Sequence, residues 1–187
     1  MRLTMVRPDL EGIPVFILPK RFRIRWYQPG DERSWFDIHQ RADRENVITT
    51  DLFRRKFGYD EEQLEDRQCY LLSPEGAVIG TASAWFDDDF QGRRHGRIHY
   101  VAIVPEYQGQ GLSKPLLMAA CIRLAALRHD CAYLTTSTNR VPAIALYRKF
   151  GFMPLRSSQE EAKALQEINS PGTAPAGNMG QCRRGHS

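Results

Sequence analysis

Apolar residues along this chain change period several times, and each change marks an element. Phe22-Arg-Ile-Arg-Trp-Tyr27 alternates apolar and basic side chains, the pattern of a half-buried strand. Pro29-Gly30-Asp31 ends it. Asp31 is placed to cap a helix in which Trp35, Ile38, His39 and Ala42 recur three or four apart. A polar stretch over 43–50 leads to a short second helix. It has Leu52, Phe53 and Phe57 on one side, Arg54, Arg55 and Lys56 on the other, and Gly58 as its stop. Cys69–Leu72 and Ala77–Phe86 read as the strands of a hairpin turned by Pro74-Glu-Gly76. The charged, glycine-bearing stretch from Asp87 to Gly96 reads as a loop.

Arg97–Val104 is the next strand. Alternation puts Arg97 and His99 on one face and Ile98 and Tyr100 on the other. It empties into a turn holding Gly109 and Gly111. A helix from about Ser113 to Arg128 follows, with the apolar stripe Leu116, Ala120, Leu124, Leu127 and with Pro115 tolerated in its first turn. Cys131–Thr136 reads as a strand. Ala143, Leu146, Tyr147 and Phe150 mark a helix closed by Gly151, and Phe152–Leu155 a short edge strand. Ala162, Leu165 and Ile168 suggest one more amphipathic helix over 158–168. Residues 1–21, with three prolines and no period, read as an irregular arm. Residues 169–187 turn to Gly, Pro, Ser, Asn and Arg and read as a disordered tail. One domain is expected over 22–168. Its element order, βααββ then βαβαβ, places it in the α/β class. The sheet should be mixed, antiparallel in the N-terminal half and a parallel βαβ in the C-terminal half, with flanking helices.

Composition narrows the function classes. At 187 residues, 42% hydrophobic and 26% charged, the chain suits one soluble domain. No apolar run approaches the ~20 residues of a membrane span, and no signal-peptide pattern is seen. Cys69, Cys121, Cys131 and Cys182 form no CxxC pair and three sit in apolar segments, so a cytoplasmic protein with reduced thiols is expected. No spacing of His, Cys, Asp or Glu suggests a metal. The net charge of +4, much of it near the ends, favours an anionic ligand but is no nucleic-acid footprint.

The glycine turn is the most informative stretch. A strand feeding a helix N-terminus presents unpaired N–H groups and the positive end of the helix dipole to an anion. The P-loop pattern fails, because Lys114 follows Gly109 by five residues and no Gly-Lys pair exists. The dinucleotide fingerprint matches Gly109 and Gly111 and fails at Lys114. The remaining template is Gln108-Gly-Gln-Gly111-Leu-Ser113. It resembles the acyl-CoA motif of the GNAT N-acetyltransferase superfamily, with Ser113 where Gly or Ala is usual. A second stretch, Asn139-Arg-Val-Pro-Ala-Ile-Ala-Leu-Tyr147-Arg-Lys-Phe-Gly-Phe152, resembles another motif of that family at the expected distance. The resemblance covers roughly 22–155. The family's usual last strand is not evident after Leu155.

The resemblance implies acetyl-CoA as co-substrate, no metal, and direct transfer to a primary amine in a ternary complex. The strand before the turn should splay from its parallel neighbour, with main-chain groups of Val101, Ala102 and Ile103 holding the pantetheine arm. Amides of Gln108, Gly109, Gln110, Gly111, Leu112 and Ser113 should hold the pyrophosphate, and Asn139 should contact the cofactor near the pantetheine. Tyr147 stands where family members carry a tyrosine that reaches the sulfur, which implies a general acid for the departing thiolate. His99 stands where others carry Glu or His, which implies a base, and a neutral imidazole with pKa ~6.5 suits that task. The acceptor is a small-molecule or peptide amine that the sequence leaves open. No nucleic-acid or membrane partner is expected, and the protein should be a monomer or homodimer. A non-catalytic acyl-CoA sensor and nucleic-acid binding through the basic ends are the alternative readings.

Overall fold

The computed structural model describes residues 1–43 and 46–155. The helix expected over 158–168, the tail and Cys182 lie outside the described residues. In chain order the strands are β1 (Arg2–Arg7), β2 (Arg23–Trp26), β3 (Gln68–Leu72), β4 (Val78–Phe90), β5 (Arg93–Ile103), β6 (Ala132–Ser137) and β7 (Met153–Pro154). The helices are α1 (Asp31–Ala42), α2 (Leu52–Phe57), α3 (Glu61–Arg67), α4 (Ser113–Ala126) and α5 (Val141–Lys149). The sheet order is β2-β3-β4-β5-β6-β1-β7. Pairs are antiparallel from β2 to β5, β5 and β6 are parallel, and β1 is antiparallel to both β6 and β7. This is the mixed α/β sheet the sequence implies.

Successive residues of β5 point to opposite faces. On one face Gly96 lies against α4, where an added Cβ would stand 3.1 Å from Leu124. On the other, Phe57 of α2 meets Trp85 of β4 at 5.0 Å and His99 of β5 at 5.8 Å between ring centroids. Trp35 of α1 centres that second face. It is fully buried, with Phe53 at 5.4 Å and Tyr100 at 5.0 Å, both edge to face. Cys69, Cys121 and Cys131 are buried and unbridged. Among the described residues no helix is long and apolar enough to cross a membrane.

Several elements depart from the expected pattern. The stretch read as an irregular arm begins with a strand. β1 pairs with β6 over its whole length, from Arg2 opposite Ser137 to Arg7 opposite Ala132, and with β7 at Met5 and Val6. Its alternation of exposed Arg2 with buried Leu3, Met5 and Arg7 is a strand signal that the neighbouring prolines masked. Asp31 is not the cap of α1. Gly30 holds that position at φ 96° with no side-chain cap, and Asp31 takes both Arg25 Nη atoms at 2.6 and 2.8 Å and the Gln28 amide at 2.8 Å. α3 carries only Leu64 on its buried side, too little for a periodic signal; Asp60 caps it by accepting from Gln63 N at 3.1 Å. Residues 87–96 extend the β4–β5 hairpin instead of forming a loop, turning at Gln91-Gly92, both with positive φ. What holds the extension is non-local. Phe90 stacks on Tyr133 at 3.8 Å, and the Tyr133 hydroxyl donates to Asp87 at 2.6 Å.

One more departure shapes the site. Between Ser83 opposite His99 and Thr81 opposite Ala102, β5 has one residue more than β4, so Tyr100 and Val101 share the place of one. Tyr100 sits in this bulge at φ 49°. Simple alternation sends Tyr100 to the face opposite His99. The bulge turns it back, and its ring lies 4.3 Å from His99 and 5.7 Å from the same Phe57. A bulky residue in the left-handed region costs on the order of 1–3 kcal/mol, which the aromatic packing around Tyr100 must offset.

Candidate functional site

The parallel pair β5–β6 is registered only at Gly96 opposite Ala132 and Arg97 opposite Tyr133, with Gly96 N donating to Cys131 O at 3.0 Å. Beyond Arg97 the strands part. A cleft of about 690 Å³ opens between them, walled by Val101, Ala102 and Ile103 of β5 on one side and α5 on the other. Its floor is the glycine turn. Gly109 and Gly111 lie at φ 77° and 78°, a conformation other residues adopt at a cost. α4 starts at Ser113 with no side-chain cap. The amides from Gly109 to Ser113 find no acceptor among the described residues. A row of unpaired amides at a helix N-terminus suits a pyrophosphate.

The turn is braced from behind. Gln108 Nε2 donates to Ile103 O at 2.7 Å, and Gln110 Nε2 to Glu106 O at 3.2 Å. Their side chains hold the loop in shape, and Gln110 does not line the cleft. Ser113 does line it, so the departure from Gly or Ala leaves a hydroxyl beside the row of amides. Asn139 lies exposed between β6 and α5, outside the lining of the cleft; its neighbour Arg140 lines it instead.

A second cleft of about 660 Å³ lies on the other side of Val101 and reaches His99. Val101, Tyr147, His39, Asp43 and Arg140 border both spaces, so the two clefts meet there. Asp43 at the end of α1 and Arg140 before α5 form an ion pair at 2.9 Å across this junction. The Tyr147 hydroxyl makes no hydrogen bond among the described residues, and burial pushes its pKa up to about 12. It is a protonated donor at neutral pH. His99 borders only the second cleft. Burial, then the cations Arg97 and Lys56, hold its imidazole well below the usual histidine range, so it is neutral at pH 7. Tyr147 thus stands at the meeting point of the clefts, and His99 lines the second cleft away from it.

His39 is the residue that sequence reasoning passed over. On the stripe Trp35, Ile38, His39, Ala42 it looks like a core position, and it is only 3% exposed. Yet its Nε2 has no hydrogen-bond partner among the described residues, and the residue borders both clefts. Its ring lies 4.3 Å from Trp35 and 5.2 Å from Tyr100. The signal available in the sequence was a titratable ring on an otherwise apolar stripe, which by itself marks no site. Burial lowers its pKa from the ordinary 6.5 to about 4. Below ~6.5 the unfolded chain takes up the proton first, so stability present above that pH is lost as pH falls toward 4. The difference amounts to about 3 kcal/mol. Urea unfolding at pH 7 and pH 4.5 should show the wild type losing about 2–3 kcal/mol more than His39→Phe, which keeps a ring but cannot titrate. Equal losses in both proteins would mean that His39 takes up its proton as readily in the folded state as in the unfolded one.

A parallel pair that parts beside a glycine turn at a helix N-terminus leaves a cleft suited to an extended ligand with an anionic end. The chain belongs to the acetyltransferase (GNAT) family, whose model matches residues 31–152. It is 31% identical over 163 residues to a mycothiol acetyltransferase of Pseudarthrobacter chlorophenolicus, covering 81% of this chain and 48% of that protein. The chain spans about half the length of the curated relatives it matches. In structure it is similar to a GCN5-related N-acetyltransferase from Sphaerobacter thermophilus, with TM-score 0.68, 19% identity, and coverage of 82% of this chain and 48% of that one. It is also similar to the ribosomal-protein-S18-alanine N-acetyltransferase of Escherichia coli, with TM-score 0.58, 23% identity, and coverage of 71% and 77%.

Proposed function

We propose that the protein transfers an acetyl group from acetyl-CoA directly to a primary amine, both substrates being bound at once. The observation that carries this reading is the pair of clefts that meet at Tyr147 and Val101, one floored by unpaired amides and the other reaching His99. The pyrophosphate lies on the amides from Gly109 to Ser113. The pantetheine runs along Val101 to Ile103 where β6 has parted from β5. The thioester then falls at the junction, and the amine enters from the second cleft. The acetyl group as the unit moved is supported by the name of the half-matched relatives, mycothiol acetyltransferase.

The neutral amine attacks the thioester carbonyl carbon. A C–N bond forms, the C–S bond breaks, and the sulfur leaves with the electron pair. The Tyr147 hydroxyl donates to that sulfur as charge builds on it. With the phenol near 12 and a thiol near ~8.5, outright proton transfer runs uphill by roughly three pK units. Tyr147 therefore acts as a hydrogen-bond donor, and its proton moves only as the amine proton becomes available to replace it. His99, held neutral, accepts a hydrogen bond from the incoming nitrogen, and the surplus proton of that nitrogen returns through water to Tyr147 as the phenol proton moves to the sulfur. The products are the acetamide and CoA thiol.

Calorimetry with acetyl-CoA tests the reading. Saturable binding with Kd on the order of micromolar is expected, together with CoA release when an accepted amine is added. A folded protein that gives no heat with acetyl-CoA would end this proposal.

A further inference from the structure

The charge of the second cleft names the acceptor more closely. Arg2 of β1, Lys56 of α2, Arg97 of β5 and Arg140 before α5 all line it. They come from elements far apart in sequence and converge on one space. Among the described residues Asp43 is the only acid in that lining, and it is already paired with Arg140. The first cleft, by contrast, has Arg140 as its only lysine or arginine among the described residues. The positive charge therefore belongs to the acceptor side and not to the amide-floored side.

Arg97 supplies a second, independent observation. Its guanidinium lies 5.4 Å from the centre of the Tyr133 ring, and its Nε is buried with no hydrogen-bond partner among the described residues. A buried guanidinium N–H left unpaired is costly, and a bound anion is the partner that would satisfy it best. The field is felt inside the cleft: after burial, Arg97, Lys56 and Arg2 all act to keep His99 from taking a proton.

Resting on the acetyl-transfer reading, we propose that the acceptor is an anionic amine, a small molecule carrying a carboxylate or phosphate group besides its primary amine. Arg97 and Lys56 hold the anion, and the nitrogen reaches the junction beside His99 and Tyr147. The same charges serve the chemistry. An ammonium group among cations loses its proton more readily, because like charge disfavours the charged form. The cleft thus anchors the acceptor by its anion and delivers its nitrogen as the neutral nucleophile. A plain cationic amine gains no anchor and meets the repulsion alone.

The test uses matched pairs: an amino acid against its carboxamide, and an amino sugar against its phosphate ester, with spermidine as the cationic control. Each is titrated calorimetrically into the protein with and without CoA, so binding is read without turnover, and kcat/KM is read from CoA release. The anionic member of at least one pair should bind about tenfold or more tightly than its neutral partner, with spermidine weakest. The pair that responds distinguishes carboxylate from phosphate. Lys56→Gln and Arg97→Gln should each shrink that preference through KM. Lys56 is exposed, so its variant stays informative even if Arg97→Gln melts. Equal binding within every pair, a preference for spermidine, a panel in which nothing binds, or a preference untouched in Lys56→Gln would each overturn the proposal. If acetyl-CoA binds and the anion preference is absent, only this inference fails. If acetyl-CoA does not bind, the acetyl-transfer reading fails first.

Discussion

Tyr147→Phe is expected to lower kcat for acetyl transfer by about 100- to 10,000-fold, the range for a lost proton-donating group. Acetyl-CoA affinity should stay within a factor of about three. The substitution removes one oxygen and keeps the ring, which packs edge to face on Phe152 at 6.4 Å. Helix α5 keeps its place, because its buried side rests on Ile144 and on Phe150 beyond its end. What disappears, on the proposed mechanism, is the donor to the leaving sulfur. That interaction matters most when negative charge is on the sulfur, in the transition state, so the loss falls on kcat and not on binding. Stopped or steady-state CoA release gives kcat, and calorimetry gives Kd. A variant turning over within threefold of the wild type would take Tyr147 out of the mechanism while leaving the cleft itself intact.

Removal of residues 1–9 is expected to abolish cooperative folding. Among the described residues β1 is the only partner of β7, and it covers the whole outer side of β6. Leu3 and Met5 are fully buried, and emptying such a position costs roughly 2–5 kcal/mol each. Arg7 adds a tie to the far helix. Its guanidinium, buried at 6% exposure, donates to Phe150 O just past the end of α5, and also to Asp9 O at 2.7 Å and Glu11 O. A cation at a helix C-terminus also complements the helix dipole. Losing these together exceeds much of the roughly 5–15 kcal/mol by which a domain is stable. Urea unfolding followed by circular dichroism measures it. Leu3→Ala is the milder probe, expected to cost about 2–5 kcal/mol. A truncated chain that melts within a degree or two of the full chain would return this segment to the role of a dispensable arm.

Much of the site was legible because its parts are local. Two glycines with positive φ, an apolar strand before them and an apolar helix after them specify the amide-floored turn within one short stretch. The stripe ending in Phe150 specifies α5 and, with it, the position of Tyr147. Gly58 as the stop of α2 and Pro74-Glu-Gly76 as the turn before β4 were equally local, and both hold in the structure. Asp31 was misread because a cap and a buried ion-pair partner share one residue type. The choice between them was made by Arg25 on a different element.

By itself, then, the sequence determined the elements whose hydrophobic period lies within them, the α/β class and the turn that can cradle an anion. Tertiary structure decided what depends on partners distant in the chain. It drew β1 into the sheet, because β6 and β7 offered it a ladder and Leu3 and Met5 a core. It placed Tyr100 beside His99, because one extra residue in β5 against β4 reverses the pleat. It also gathered Arg2, Lys56, Arg97 and Arg140 around one cleft. Periodicity reports which way a side chain leaves its own strand or helix; it carries no information about which other strand or helix it will meet.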